Sequence, residues 1–179
     1  MSLSQQPGTV YWVTGLAGAG KTSVARLLVE HFKSNDRSVV FLDGDILRDV
    51  FGGNAGHSMA ERKVLARQYG AMCRMLSDQG LIVVCATISM FHEVRQWNRE
   101  NIRQYCEIYL QVPMEVLVSR DQKGLYGKAL AGEIDDVIGV NAPFEEPECP
   151  DIMIENDGAR DLSMVLDELV AKINLWSEE

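Results

Sequence analysis

The chain has 179 residues, 46% of them hydrophobic, which suffices for one domain with a real core and leaves no length for a second. Its formal charge of −9 argues against extended contact with nucleic acid or an anionic membrane, because polyphosphate surfaces select a dominant basic face. A small anionic substrate stays compatible with that charge, since a few local lysines and arginines can reverse the field inside one pocket.

Residues Met1 to Gly8 are polar and lack the apolar stretch of a signal peptide, so no targeting or anchoring is expected there. Five short apolar runs follow, Thr9 to Thr14, Ser38 to Leu42, Leu81 to Ala86, Cys106 to Leu110 and Ile152 to Glu155, each read as a strand. Amphipathic stretches separate them. Lys21 to Phe32 places Val24, Leu27, Leu28 and Phe32 on one helical face, and Ser58-Met59-Ala60-Glu61 reads as a capping box opening a helix to about Gln79, ended by Gly80. Further helices are expected near Ile46, over Glu93 to Gln104, Met114 to Arg120 and Leu162 to Ile173. Strands alternating with helices predict an α/β fold, a three-layer sandwich around a five-stranded, mostly parallel sheet. The segment from Arg120 to Pro150 is the least regular, and mobility is expected in it. Cys73, Cys85, Cys106 and Cys149 form no C-x-x-C pair and have no histidines at metal-ligand spacing, so they are read as buried, reduced thiols.

Gly15-Leu16-Ala17-Gly18-Ala19-Gly20-Lys21-Thr22 matches G-x-x-x-x-G-K-[ST] and lies between the first strand and the first helix, where such a loop must lie. Glycines let the backbone curl so that successive N–H groups face phosphate oxygens, and the helix N-terminus adds its positive end. Lys21 would reach the β and γ phosphates of ATP, while the Thr22 hydroxyl would coordinate Mg2+. Asp43-Gly44-Asp45 leaves the second strand at the same sheet edge. One carboxylate, Asp43, would hold Mg2+ through water, and the other, Asp45, would accept the proton of an acceptor hydroxyl. An ordinary Asp-Gly turn capping the next helix is the plainer account of the same residues. Arg48, Arg62 and Arg67 supply cations for an anionic acceptor, and Arg120-Asp121-Gln122-Lys123-Gly124-Leu125-Tyr126 suits a closing lid. A GTP-dependent switch and a transport or motor ATPase are disfavoured: the chain has no N-K-x-D segment after a strand, no clear D-x-x-G element, and no hydrophobic strand ending in a lone Asp or Glu.

These residues together resemble the adenylylsulfate kinase family from the phosphate loop to about Pro150. The markers are the GLAGAGKT loop, Leu42-Asp43-Gly44-Asp45 with Arg48, Ile88-Ser89, Lys123-Gly124-Leu125-Tyr126, and Gly139 followed by Ala142-Pro143-Phe144-Glu145-Glu146-Pro147-Glu148. The resemblance implies a three-layer P-loop kinase fold, ATP as donor with Mg2+, transfer to a ribose 3′-hydroxyl, usually a homodimer, and a cytoplasmic place in sulfate assimilation. It assigns Asp45 a base-like role, sets Arg48, Arg62, Ile88, Ser89 and Lys123 beside the acceptor and Arg120 beside ATP, and makes Ser89 the serine that some members phosphorylate. A direct in-line transfer assisted by Lys21 and Asp45 would need no such covalent step.

Departures from the family pattern collect around the acceptor. His57 and Val137 stand where two phenylalanines that sandwich adenine are expected, Leu65 replaces an asparagine, Thr87 a phenylalanine, and Met90 the proline after Ile-Ser. Losing a stacking ring costs about 1 to 3 kcal/mol per base. The stretch Thr87-Ile88-Ser89-Met90-Phe91 is also similar to a branch that phosphorylates cytidine diphosphoramidate in capsule phosphoramidate synthesis. The ATP half of the site is therefore expected intact and the acceptor nucleotide is left open between the two.

Overall fold

Five parallel strands form one sheet in the order β2-β3-β1-β4-β5, with β1 Val10–Thr14, β2 Val39–Asp43, β3 Ile82–Ala86, β4 Tyr105–Gln111 and β5 Ile152–Glu155. The structure is a computed structural model and describes residues 6–51, 58–121 and 124–178; His57 and Lys123 lie outside these. Seven helices are formed among the described residues: α1 Lys21–Ser34, α2 Gly44–Val50, α3 Met59–Ser77, α4 His92–Asn101, α5 Met114–Ser119, α6 Leu125–Leu130 and α7 Leu162–Trp176. No helix among them is long and apolar enough to cross a membrane.

The three layers follow from strand alternation. Val13, Ile108 and Ile154 share a core with Val24 and Leu28 of α1 and Leu169 of α7, whereas Trp12 and Cys85 share a second core with Leu65 and Tyr69 of α3 and Val94 of α4. Strands β1 and β3 are buried along their whole length, as their near-continuous apolar runs require. β5 is an edge strand and alternates instead, with Ile152 and Ile154 buried and Met153 46% exposed.

The capping box forms as its sequence predicts: the Ser58 N–H donates to Glu61 Oε2 and the Glu61 N–H to Ser58 Oγ. Other boundaries shift for local reasons. α2 begins at Gly44 rather than Ile46, because Asp43 is its N-cap and accepts from the Asp45 N–H at 2.9 Å. α4 ends at Asn101, not Gln104, because Ile102 takes an extended conformation and is buried in the second core. α6 interrupts the segment expected to be irregular; Asp121 Oδ1 and Oδ2 accept from the N–H groups of Leu125 and Gly127 and satisfy its first turn. Three of the four cysteines are buried thiols as expected, but Cys149 is exposed.

The segment from Gly139 to Pro150 crosses the sheet's carboxyl edge, tied down by buried charge. Arg95 Nη2 donates to the carbonyls of Glu145 at 2.8 Å and Glu146 at 3.3 Å, and Arg95 Nε lies 3.1 Å from Glu107 Oε1. Arg99 bridges Glu107 and Asp151 at 2.9 and 3.0 Å, and Tyr109 OH donates to Glu146 at 2.7 Å. Burial pushes the Glu107 carboxyl up, and the two guanidiniums pull it back part of the way.

Candidate active site

β1 is the middle strand, so the loop leaving it emerges between the carboxyl ends of β3 and β4, where open α/β sheets hold ligands. Gly18 and Gly20 have φ of 76° and 91°, a left-handed curl that other residues adopt only under strain. Gly20 is the N-cap of α1 and no side chain caps that helix, so its first N–H groups face the loop's interior ready for an anion.

Lys21 Nζ donates to the Leu16 carbonyl at 2.7 Å, closing over the loop it would otherwise serve. Desolvation pushes its ammonium down to about 8, against the pull of Asp45 and, more weakly, Asp43. Both carboxylates of the Asp-Gly-Asp turn therefore act on this lysine. Thr22 Oγ1 donates to Asp43 Oδ2 at 2.9 Å, so a hydroxyl and a carboxylate converge at the loop's end. Such hard oxygen ligands fit Mg2+, which takes one or two protein oxygens with the rest from phosphates and water. No cluster of three or more potential metal-binding His, Cys, Asp or Glu exists among the described residues, and a Mg2+ shared with a nucleotide requires none. Asp43 thus serves at once as helix cap and as partner of Thr22, so the capping turn also presents a carboxylate at the end of the phosphate loop.

At the neighbouring strand, the β3 exit bends sharply. Thr14 Oγ1 donates to the Ile88 carbonyl, and Ser89 takes a φ of 24°, a sparsely populated region for a residue with a side chain. Ser89 Oγ lies 2.7 Å from Thr87 Oγ1, a hydroxyl and not a base. A Cβ added at Gly44 would meet the Thr87 side chain at 3.2 Å, which puts that hydroxyl pair against the Asp-Gly-Asp turn. Arg48 and Arg62 are close enough that Arg48 helps burial to lower the Arg62 pKa, with Asp136 opposing, and Arg62 Nη2 donates to the Asp136 carbonyl at 2.9 Å.

Of the expected site residues, the structure brings Lys21, Thr22, Asp43 and Asp45 together, and sets Arg48 beside Arg62. Arg120 reaches the phosphate loop, at 3.5 Å from the Gly18 carbonyl. Leu65 and Val137, each 5% exposed, are packed in the second and first cores respectively, so neither is presented as an open surface. Arg67 stacks on Trp97 at 4.0 Å from the ring centroid. Two clefts of about 430 and 410 Å3 are lined by Gly139 to Phe144 and by residues including Leu16, Gln111, Met114 and Asp157; neither includes Lys21, Asp45 or Ser89. Sequence reasoning missed Asn156, whose Nδ2 donates to the Ala19 carbonyl at 2.9 Å. Its place at the end of β5, on the edge that holds the phosphate loop, was the available signal.

The family model described as adenylylsulphate kinase matches residues 7–155. The chain belongs to the adenylylsulfate kinase family. It is a kinase with a hydroxyl group as acceptor. The cytidine diphosphoramidate kinase of Campylobacter jejuni is 40% identical over 93% of this chain and 96% of its own. The adenylyl-sulfate kinase of Halothermothrix orenii is 36% identical over 99% and 93% respectively. Among solved structures, the Mycobacterium tuberculosis APS kinase in complex with AMPPNP and APS superposes with a TM-score of 0.86 at 32% identity, covering 94% of this chain and 98% of that one. A hexameric APS kinase from Thiobacillus denitrificans, at 24% identity and a TM-score of 0.70, shares the fold over 96% of this chain and 29% of its own.

Proposed function

We propose that this protein transfers the γ-phosphoryl group of ATP to the 3′-hydroxyl of adenylyl sulfate, with Mg2+ held by Thr22 and Asp43. The observation that carries this is the convergence of Lys21, Thr22, Asp43 and Asp45 at one sheet edge, with Arg48 and Arg62 set close to one another. Held there, Mg2+ would supply neutralisation of the charge on the phosphate groups during transfer. Lys21 leaves the Leu16 carbonyl to meet the β and γ phosphates, the loop amides hold them in line, and Asp45 orients the acceptor hydroxyl and takes its proton. Arg48 and Arg62 anchor the acceptor's anionic group, and Ser89, Ile88 and Lys123 flank it. Ser89 positions the acceptor by hydrogen bonding, since its neighbour Thr87 offers no base to activate it. The family's homodimer, its role in sulfate assimilation and a cytoplasmic setting belong to this reading.

A second acceptor, cytidine diphosphoramidate, is favoured by the relative at 40% identity and by the site itself. Thr87 and Ser89 form a polar pair where an aromatic ring is expected, and Val137 and Leu65 are withdrawn into the cores. Purified protein with ATP and Mg2+ is offered each acceptor separately, with products identified by phosphorus NMR. Turnover of adenylyl sulfate supports the first reading, turnover of the cytidine compound alone replaces it with the second, and turnover of neither overturns both.

A further inference from the structure

The carbonyls of the phosphate loop accept side-chain hydrogen bonds at four consecutive positions, the last three from distant elements. Leu16 O accepts from Lys21 Nζ at 2.7 Å, Ala17 O from Tyr126 OH at 2.8 Å, Gly18 O from Arg120 Nη1 at 3.5 Å, and Ala19 O from Asn156 Nδ2 at 2.9 Å. A trans peptide is planar and its C=O and N–H point in opposite directions. A carbonyl fixed outward therefore turns the next residue's N–H inward: Tyr126 sets the amide of Gly18, and Asn156 sets that of Gly20. Lys21 must let go when a phosphate arrives, whereas Tyr126 and Asn156 have no part in binding the phosphate and can keep their grip throughout.

Each of the two is itself fixed. Asn156 is buried; its N–H donates to the Gln111 carbonyl at 2.9 Å and its own carbonyl accepts from Arg120 Nη2 at 2.9 Å. A Cβ on Gly20 would stand 2.7 Å from Asn156 Nδ2, so the loop approaches this amide as closely as a glycine permits. Tyr126 is buried on α6, the helix capped by Asp121, and burial pushes its phenol up to about 12, which keeps the hydroxyl a donor. The exit of β5 and helix α6 thus grip the loop from two separate elements.

We infer that Tyr126 and Asn156 are positioning residues that hold the phosphate loop in its phosphate-receiving shape before nucleotide arrives, so that ATP affinity depends on α6 and on the end of β5. The inference rests on ATP occupying this loop. The test measures AMPPNP binding with Mg2+ by calorimetry, together with KM for ATP and for the accepted acceptor, in the parent protein, Tyr126→Phe and Asn156→Ala. Losing one such hydrogen bond is expected to weaken AMPPNP binding and raise the ATP KM about tenfold in each variant, with the acceptor KM unmoved. A role in stability alone would lower the melting temperature and leave the nucleotide constants where they were, which would overturn the inference. So would ATP and acceptor KM values rising together. Tyr126→Phe removes a single oxygen and decides the matter if Asn156→Ala does not fold. Failure of the parent protein itself to bind AMPPNP would sink the proposed function as well, whereas equal binding by parent and variants sinks only this inference.

Discussion

Thr22 Oγ1 donates to Asp43 Oδ2 across 2.9 Å, joining the last residue of the phosphate-loop motif to the last residue of β2. Twenty-one residues apart in the chain, the two supply the hydroxyl and carboxylate a magnesium ion would share with a nucleotide. Asp43→Asn keeps an efficient helix cap but removes the charge. The Mg2+ concentration giving half-maximal activity is expected to rise at least about tenfold, with the urea midpoint nearly unmoved. An unchanged Mg2+ requirement would remove Asp43 from the metal site.

Asp45→Asn should lower kcat by about 10² to 10⁴-fold, the range of a lost general base, with far less effect on nucleotide affinity. Steady-state rates alongside AMPPNP calorimetry separate the two. Full turnover in this variant, or in Lys21→Ala, would refute the role given to that residue.

Lys21 has its pKa lowered from 10.5 to about 8 in the free protein, so the native state gives up its proton before the unfolded chain does. Between those two values the unfolded chain binds more protons, and this group's contribution to stability rises with pH; below 8 both states are protonated and the native state carries the desolvation cost in full. Phosphate oxygens favour the charged form. Nucleotide binding at pH 8.5 should therefore take up protons, and the uptake should shrink towards pH 6.5. Calorimetry in buffers of different ionisation enthalpy reads this directly. Equal uptake at the two pH values, or uptake persisting in Lys21→Arg, would rule out Lys21 as its source.

The buried Glu107 compensates Arg95, which holds the carbonyls of Glu145 and Glu146. Removing one partner of a buried pair leaves the other charge uncompensated, and Glu107→Ala should cost about 3 to 5 kcal/mol in urea denaturation. A loss below about 1 kcal/mol would show that water reaches the arginine freely.

Val137 is buried, so Val137→Phe combined with His57→Phe carries an overpacking cost of about 1 to 3 kcal/mol. If missing rings weaken adenine recognition, the same double variant should raise kcat/KM for adenylyl sulfate by at least about fivefold through stacking. An unchanged kcat/KM would mean that the acceptor preference does not lie in these two positions.

The phosphate loop, its place after β1, the five strands and the capping box at Ser58 were legible because each is written in contiguous residues. Local spacing fixes a glycine turn, a period of two or an N-cap, and no distant part of the chain needs to be known. The Asp43 and Asp45 turn was legible for the same reason, together with the rule that parallel strands deliver their exits to one edge. Short elements such as α6 were not, since its stability comes from Asp121 closing the first turn and Tyr126 anchoring it to the loop, neither of which has a periodic signal.

What the sequence determined by itself was the residue set at the sheet edge: a glycine-rich loop between β1 and α1 ending in Lys21 and Thr22, and the Asp43-Gly44-Asp45 turn after β2. Tertiary structure alone decided how that loop is held and what remains open beside it. Asn156 and Tyr126 grip the Ala19 and Ala17 carbonyls from 137 and 109 residues away, and Val137 and Leu65 turn into separate cores. A motif specifies its own backbone because its constraints are local. The support behind it is a matter of which distant donors the packed sheet and helices bring to its carbonyls, and only folding brings them there.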